Sequence, residues 1–383
     1  RSSDLANAKI GYRSNKREGF IYRVETGYQA FILPSAVTDH QIQTHLDLGY
    51  LSDTHGAGMN VYVQNDFMTL DTLKHSLPDS VYRDLHSLRI NPYYTFRSNA
   101  VRLRVGINID VNIGGGQMLS GSNVIAFAPS PDIHFEYRII PSWLLLYADA
   151  KGSFGHGTLS DFFSCPYRAA PDGIYNIAYR SAAANGFVQK RPVSEYTPID
   201  AAIGFRFKPL ATFLIDIYAQ YAYLKNQVNN ITDFNHSYGG LSFEYADYQR
   251  WTVGTQMSYR YQDIIAIHLG ANYYKWISET GVYDRPSWDL HLRVDGRIDS
   301  KWSLYTDNYF AGSRTARQQT ASNTFVNRPL KAWIDLKLGA QYEINRSLSV
   351  YAEINNLLHR SNDLYYGYQA PGISAFIGAK WQF

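Results

Sequence analysis

The segment from Val101 to Ile113, VRLRVGINIDVNI, alternates without a break. Val101, Leu103, Val105, Ile107, Ile109, Val111 and Ile113 fall on one face, and Arg102, Arg104, Gly106, Asn108, Asp110 and Asn112 on the other. A period of two is the signature of a β-strand with unlike faces, and this run is about twice the usual strand of 5–6 residues. At about 3.3 Å per residue, a tilted strand of that length spans the roughly 30 Å hydrocarbon core of a bilayer. The pattern recurs. Ile203, Phe205 and Phe207 oppose Arg206 and Lys208, and Phe213, Ile215, Ile217 and Ala219 oppose Asp216 and Gln220. Leu290, Leu292 and Val294 oppose Asp289, His291, Arg293 and Asp295, while Ile334, Leu336, Leu338 and Ala340 oppose Asp335, Lys337, Gln341 and Glu343. Neither a dry core nor lipid accepts such ionisable groups unpaired. The simplest arrangement puts the apolar face in lipid and the polar face on a wet interior.

The connections alternate as well. Tight links at residues 15–18, 97–99, 141–142, 209–210, 262–263, 299–301 and 345–347 exchange with longer polar stretches near 73–85, 114–123, 155–194, 226–240, 278–287, 313–328 and 357–371. This layout predicts an all-β, transmembrane antiparallel β-barrel of about 16 strands, within about 14–18, with short periplasmic turns and long extracellular loops. The barrel occupies residues 19–383, and residues 1–18 form an N-terminal periplasmic extension or a partial strand. A long loop insertion at 156–194 is expected to constrict the lumen or dock a partner. Pro129 and Pro131 predict a bulge, and Tyr238 to Arg250 reads as either strand or extracellular hairpin. Soluble sandwiches and propellers alternate too, but with shorter strands and a solvent face richer in Lys and Glu. Aromatic residues near the turns, among them Trp143, Trp251, Trp288, Trp302 and Trp381, suit interfacial girdles.

Composition sharpens this picture. The 383 residues include 32 Tyr and 19 Phe but are only 18% charged, against about 25% in ordinary domains; abundant aromatics with few charges favour strands. No apolar run approaches the roughly 18–20 residues of a membrane-spanning helix. A net charge of +3 with dispersed basic residues lacks the clustered footprint of a nucleic-acid binder, so no nucleic-acid partner is expected. Cys165 stands alone, and no Cys/His metal spacing or cofactor motif is present, so neither metal nor cofactor is expected. GGGQ at Gly114 to Gln117 lacks the Lys-Ser/Thr of a phosphate loop.

Three sets of neighbours place an acid beside a histidine, the minimum for general-base chemistry: His45 with Asp47, His134 with Glu136, and His291 near Asp289 and Arg293. Without a nucleophile motif or an oxyanion cluster they read as ordinary neighbours on a polar face, and the chain as a non-enzyme. The candidate lumen-lining residues are Arg102, Arg104, Asp110, Arg206, Asp216, Asp289, Arg293, Asp295, Asp335, Lys337 and Glu343. Their mixed signs predict no strong ion preference.

The tail from Tyr351, YAEINNLLHRSNDLYYGYQAPGISAFIGAKWQF, carries an Asn-Leu-Leu motif at Asn355 to Leu358, then Tyr365, Tyr366 and Tyr368 in a loop. Pro371-Gly372, Phe376, Gly378 and a terminal Phe383 complete it. It resembles the closing hairpin of TonB-dependent receptors. Ile377, Ala379, Trp381 and Phe383 also look like the membrane-insertion signal read by the barrel-assembly machinery. The resemblance implies the outer membrane of a Gram-negative bacterium, with outer-membrane lipid, lipopolysaccharide and that machinery as partners. Receptors of this family have barrels of about 22 strands with a plugged lumen. Strand-like sequence from about residue 19 leaves no room for a plug, so the resemblance implies a plugless, shortened relative. Such a barrel would be a passive channel or conduit for solutes. The alternative is a structural or interaction subunit of a larger outer-membrane assembly for secretion, barrel assembly or surface-protein export, partnered by other outer-membrane or periplasmic proteins.

Overall fold

A computed structural model of the chain describes residues 4–16, 18–33, 37–70, 84–114, 127–155, 195–233, 240–322 and 324–381. The strands are β1 (Asp4–Arg13), β2 (Gly19–Leu33), β3 (Val37–Leu51), β4 (His55–Leu70), β5 (Leu85–Arg97), β6 (Val101–Gly114) and β7 (Phe127–Ile140). They continue with β8 (Leu144–Gly155), β9 (Glu195–Leu210), β10 (Phe213–Asp233), β11 (Gly240–Tyr261), β12 (Ile265–Ile277), β13 (Trp288–Arg297) and β14 (Trp302–Ala311). The last are β15 (Arg314–Gln319), β16 (Phe325–Leu330), β17 (Trp333–Glu343), β18 (Leu348–Asn355), β19 (Asp363–Tyr365), β20 (Tyr368–Gln369) and β21 (Ser374–Trp381). No helix occurs among the described residues.

One meander runs through the sheet. Each of β1 to β13 pairs antiparallel with the next, then β14 with β17, β17 with β18 and β18 with β21. Seventeen strands of the 19-stranded sheet form this meander; β15 and β16 are a hairpin grafted onto one end. Every strand expected from the alternation is present. The additional one is β1, which pairs with β2 from Asp4↔Ile32 to Arg13↔Arg23, where either an extension or a partial strand was expected. Its outward Ala6 and Ala8 are small, which mutes the alternation ahead of Ile10 and Tyr12.

The expected bulge at Pro129 and Pro131 does not form: the β6–β7 register passes straight through Ile109↔Pro129 and Ile107↔Pro131. Proline disrupts a ladder only where its nitrogen should donate. The Pro129 carbonyl points away from β6 and accepts from the Tyr196 hydroxyl, and the β7–β8 ladder begins only at Asp132↔Lys151, so no bond from either proline nitrogen is required. The segment up to Arg250 is no separate hairpin, since β11 runs unbroken from Gly240 and pairs with β10 as far as Asp233↔Gly240. The real irregularity there is a register shift between Leu224 and Gln227, with Asn226 in the left-handed region at φ 57°, a conformation that Asn tolerates better than most residues.

Short turns gather at one end of the sheet and long connections at the other. The short ones are closed by side chains that replace missing ladder partners. Asn345 Oδ1 accepts from the Ser347 and Leu348 amides at 2.9 Å each. Asp299 Oδ1 accepts from the Lys301 and Trp302 amides at 2.7 Å each, and these bonds hold its carboxyl below the usual carboxylate range. The 156–194 insertion with Cys165, most of the GGGQ stretch, and Phe383 lie outside the described residues.

Candidate functional site

The ladder carries all the candidate lumen residues onto one face. Arg102 and Arg104 stand opposite Glu136 and His134, with Asp110 further along the same strand. From Glu136 the row continues through Tyr147 and Gly204; one step along β9, Arg206 stands opposite Asp216. Beyond β10 and β11, Asp289 faces Asn272, Arg293 faces Asp307, and Asp295 faces Tyr305. Asp307 in turn faces Lys337, Tyr309 faces Asp335, and Glu343 faces Ser349. The opposite face is apolar and open: Ile203, Ile217 and Val253 are 53%, 48% and 60% exposed. Ordinary soluble proteins rarely show contiguous apolar surface beyond a few hundred Å², whereas here it covers strand after strand. Ile377 and Trp381, 87% and 73% exposed, lie on this face with Ala379 between them.

The polar face is stitched by ion pairs across neighbouring strands. Arg89 meets Asp110 at 2.7 Å, Arg104 meets Asp132 at 2.8 Å, Arg102 meets Glu136 at 3.5 Å, and Arg206 meets Asp216 at 2.9 Å. Arg293 serves both Asp295 at 2.7 Å and Asp307 at 3.3 Å, and Lys337 reaches Glu353 at 3.3 Å. Asp335 accepts the Asn356 amide at 3.2 Å. Partly solvated pairs of this kind contribute about 0–1 kcal/mol each. Their main effect is to fix where charge stands on the wall.

The histidines find partners across strands. His134 sits between Asp149 at 2.6 Å and Glu136 at 3.4 Å, and His291 Nε2 contacts Asp307 at 2.5 Å. Asp289 instead accepts from Asn272 and Tyr274 at 2.9 Å each. His45 faces Glu25, while Asp47 accepts from the Tyr93 hydroxyl at 3.5 Å. Among the described residues no group of three His, Cys, Asp or Glu is placed to hold a metal ion.

A repeated brace escaped the sequence reading. Tyr147 on β8 lies across Gly204 on β9 and donates to Asp216 on β10 at 2.6 Å. Tyr218 on β10 lies across Gly254 on β11 and donates to Asn272 on β12 at 2.6 Å. Tyr305 crosses Gly339 to donate to Glu353, and Tyr93 crosses Gly58 towards Asp47. In each case a ring on the polar face spans a strand whose residue has no side chain, and its hydroxyl ties down an acceptor two strands away. Glycine is costly in a strand; here it gives a tyrosine room to lie flat. The legible signal would have been Gly58, Gly204, Gly254 and Gly339, all on the polar face of long strands.

A second unforeseen cluster lies at the long-connection end, where β10 and β11 reach 21 and 22 residues. Buried Tyr248 donates to Asn229 at 2.5 Å, and Arg285 stacks on its ring at 4.0 Å. Arg317 of the β15–β16 hairpin pairs with Glu244 at 2.5 Å and covers Phe325 at 4.2 Å. Arg314 donates to the Asp363 and Leu364 carbonyls, joining this hairpin to the β18–β21 connection. These contacts make the described parts of that end a built platform.

No family model and no curated protein matches the sequence. Solved structures do. The copper transporter OprC is 12% identical with a TM-score of 0.66, over 100% of this chain and 65% of its own. The FrpB iron transporter from Neisseria meningitidis is 10% identical with a TM-score of 0.67, over 99% of this chain and 63% of its own. The ferric enterobactin receptor PfeA from Pseudomonas aeruginosa is 10% identical with a TM-score of 0.67, over 100% and 62%. The chain thus spans somewhat under two thirds of the length of each. At such identities the likeness concerns the fold, and it extends along the entire chain. The chain has the fold of a TonB-dependent receptor barrel, an outer-membrane β-barrel.

Proposed function

We propose that the barrel is a conduit that carries solute across the outer membrane along its polar inner wall, without catalysing a reaction. The observation that supports this is the continuity of that wall: charged and amide side chains occupy the inner face from Lys9 on β1 to Glu353 on β18, strand by strand. An inner face closed to water would leave those groups with a desolvation cost of several kcal/mol for each ion. The histidines favour a non-catalytic reading, since each acid beside them is also a rung of the cross-strand pairing. On the same reading, outer-membrane lipid and lipopolysaccharide are the partners of the apolar face.

Purified chain reconstituted in planar bilayers is expected to give discrete conductance steps. Silent bilayers, with insertion verified by protease protection, would contradict passage through the lumen.

A further inference from the structure

We propose that a recess in the inner wall of β1 to β8 binds multivalent oxyanions, polyphosphate or polycarboxylate in class, and makes the conduit anion-selective; only the second half rests on the conduit reading. The recess measures about 560 Å³ and lies midway along the strands. Five cationic side chains line it, Lys9, Arg23, Arg89, Arg104 and Lys151, against two carboxylates, Glu25 and Asp132.

The two signs are also differently placed. Glu25 is contacted by both Lys9 and Arg23, the latter at 2.6 Å. Asp132 accepts from Arg104 at 2.8 Å and from Asn91 at 3.2 Å. Behind them Asp110, buried in the wall, holds Arg89, and Asp149 is shared between His134 at 2.6 Å and Lys151 at 3.7 Å. The carboxylates are thus engaged at the level of the sheet. The side chains of Lys9 and Lys151 are nonetheless 65% and 63% exposed, and that of Arg23 48% exposed. Gly27 adds no side chain to the lining, where nothing would approach a β-carbon closer than 3.6 Å, and Gln43, Asn60 and Asn108 supply neutral amides. One carboxylate serving two cations, beside a lysine with only a shared partner, leaves a local excess of positive charge. A charge count along the whole wall averages this excess away. Charged linings of this kind select ions in other pores, and an anion carrying several charged oxygens is the class of solute that a cluster of cations and amides attracts most.

Calorimetric titration of the detergent-solubilised full chain with tripolyphosphate, and separately with citrate, tests the site without any need for transport. Binding is expected for at least one, weakening with salt. The triple variant Lys9→Gln, Arg23→Gln, Lys151→Gln should bind about tenfold more weakly, at a few tenths of a kcal/mol per exposed pair. A charge-conserving variant, Lys9→Arg with Lys151→Arg, should retain the affinity, and unchanged circular dichroism would show that both variants fold. Tripolyphosphate binding without citrate binding would assign phosphate chemistry, and the reverse carboxylate chemistry. Failure of both anions to bind, equal binding by the triple variant, or binding of a polyglutamate peptide alone would overturn the proposal. In bilayers a salt gradient should give an anion-selective reversal potential that the triple variant loses. A chain that conducts without selectivity overturns the selectivity claim and leaves the conduit standing. A chain that binds tripolyphosphate yet never conducts overturns the conduit and leaves the site.

Discussion

Gly204→Val is expected to lower the stability of the folded barrel by about 2–4 kcal/mol, measured by urea unfolding in lipid followed by tryptophan fluorescence. A β-carbon at Gly204 would stand 2.6 Å from both Cζ and the hydroxyl of Tyr147 and 2.8 Å from the Ile217 carbonyl. The ring has to leave. Overpacking of this kind costs about 1–3 kcal/mol, and the departing hydroxyl abandons Asp216, a bond to a charged group worth about 1.5–3 kcal/mol. Arg206 remains on Asp216 at 2.9 Å, so the carboxylate is not stranded, and the combined effect falls below the simple sum. In a Tyr147→Ser background the share of the cost that comes from the ring and its bond should vanish and only the approach to the Ile217 carbonyl should remain, because contacting residues are strongly non-additive. Equal costs in the two backgrounds would mean that the tyrosine does not occupy the space above Gly204.

Ile217→Arg should cost about 2–4 kcal/mol, the depth-dependent value for a cation on the lipid face near the bilayer midplane. Ile217 is 48% exposed on the apolar face, lies between Phe205 on β9 and Thr255 on β11, and stands midway along the part of β10 that pairs with β9. No acidic residue stands beside it in the ladder. The readout is the fraction of chain that acquires protease resistance on folding into vesicles, with Gln256→Arg as the comparison. Gln256 faces Asp216 across β10 and β11 on the polar side, where a cation finds both water and a carboxylate. Equal insertion of both variants would mean that the faces are assigned the wrong way round.

These two substitutions also mark what the sequence made legible. Ile217 belongs to a periodic pattern, and periodicity alone is enough to place it, because a lipid-facing side must be apolar at every second residue. The same holds for Arg206 and Asp216, whose common face follows from counting. Their pairing does not, because it depends on which residue of β9 falls opposite which residue of β10, and register is set by turns and bulges. His291 shows the consequence: its neighbours in sequence are Asp289 and Arg293, yet its contact is Asp307 on the next strand. Gly204 was illegible for a further reason. A glycine in a strand reads as a weakness until the partner that fills its space is known, and Tyr147 lies far off in the chain. β1 was hidden by its alanines, and the hairpin of β15 and β16 by a polar composition that reads as loop. The recess between Lys9 and Lys151 draws on eight strands, and so becomes visible only once the sheet is assembled.

Which face of the wall meets water can be measured residue by residue along β6. In a Cys165→Ser background, single cysteines placed from Leu103 to Ile109 would be exposed to a water-soluble maleimide and to a lipid-attached quencher in reconstituted vesicles. Positions 104, 106 and 108 should react with the maleimide, while 103, 105, 107 and 109 should resist it and be quenched from the lipid. Uniform labelling along the strand, or labelling in the opposite phase, would contradict a polar-walled barrel with its apolar face in the membrane.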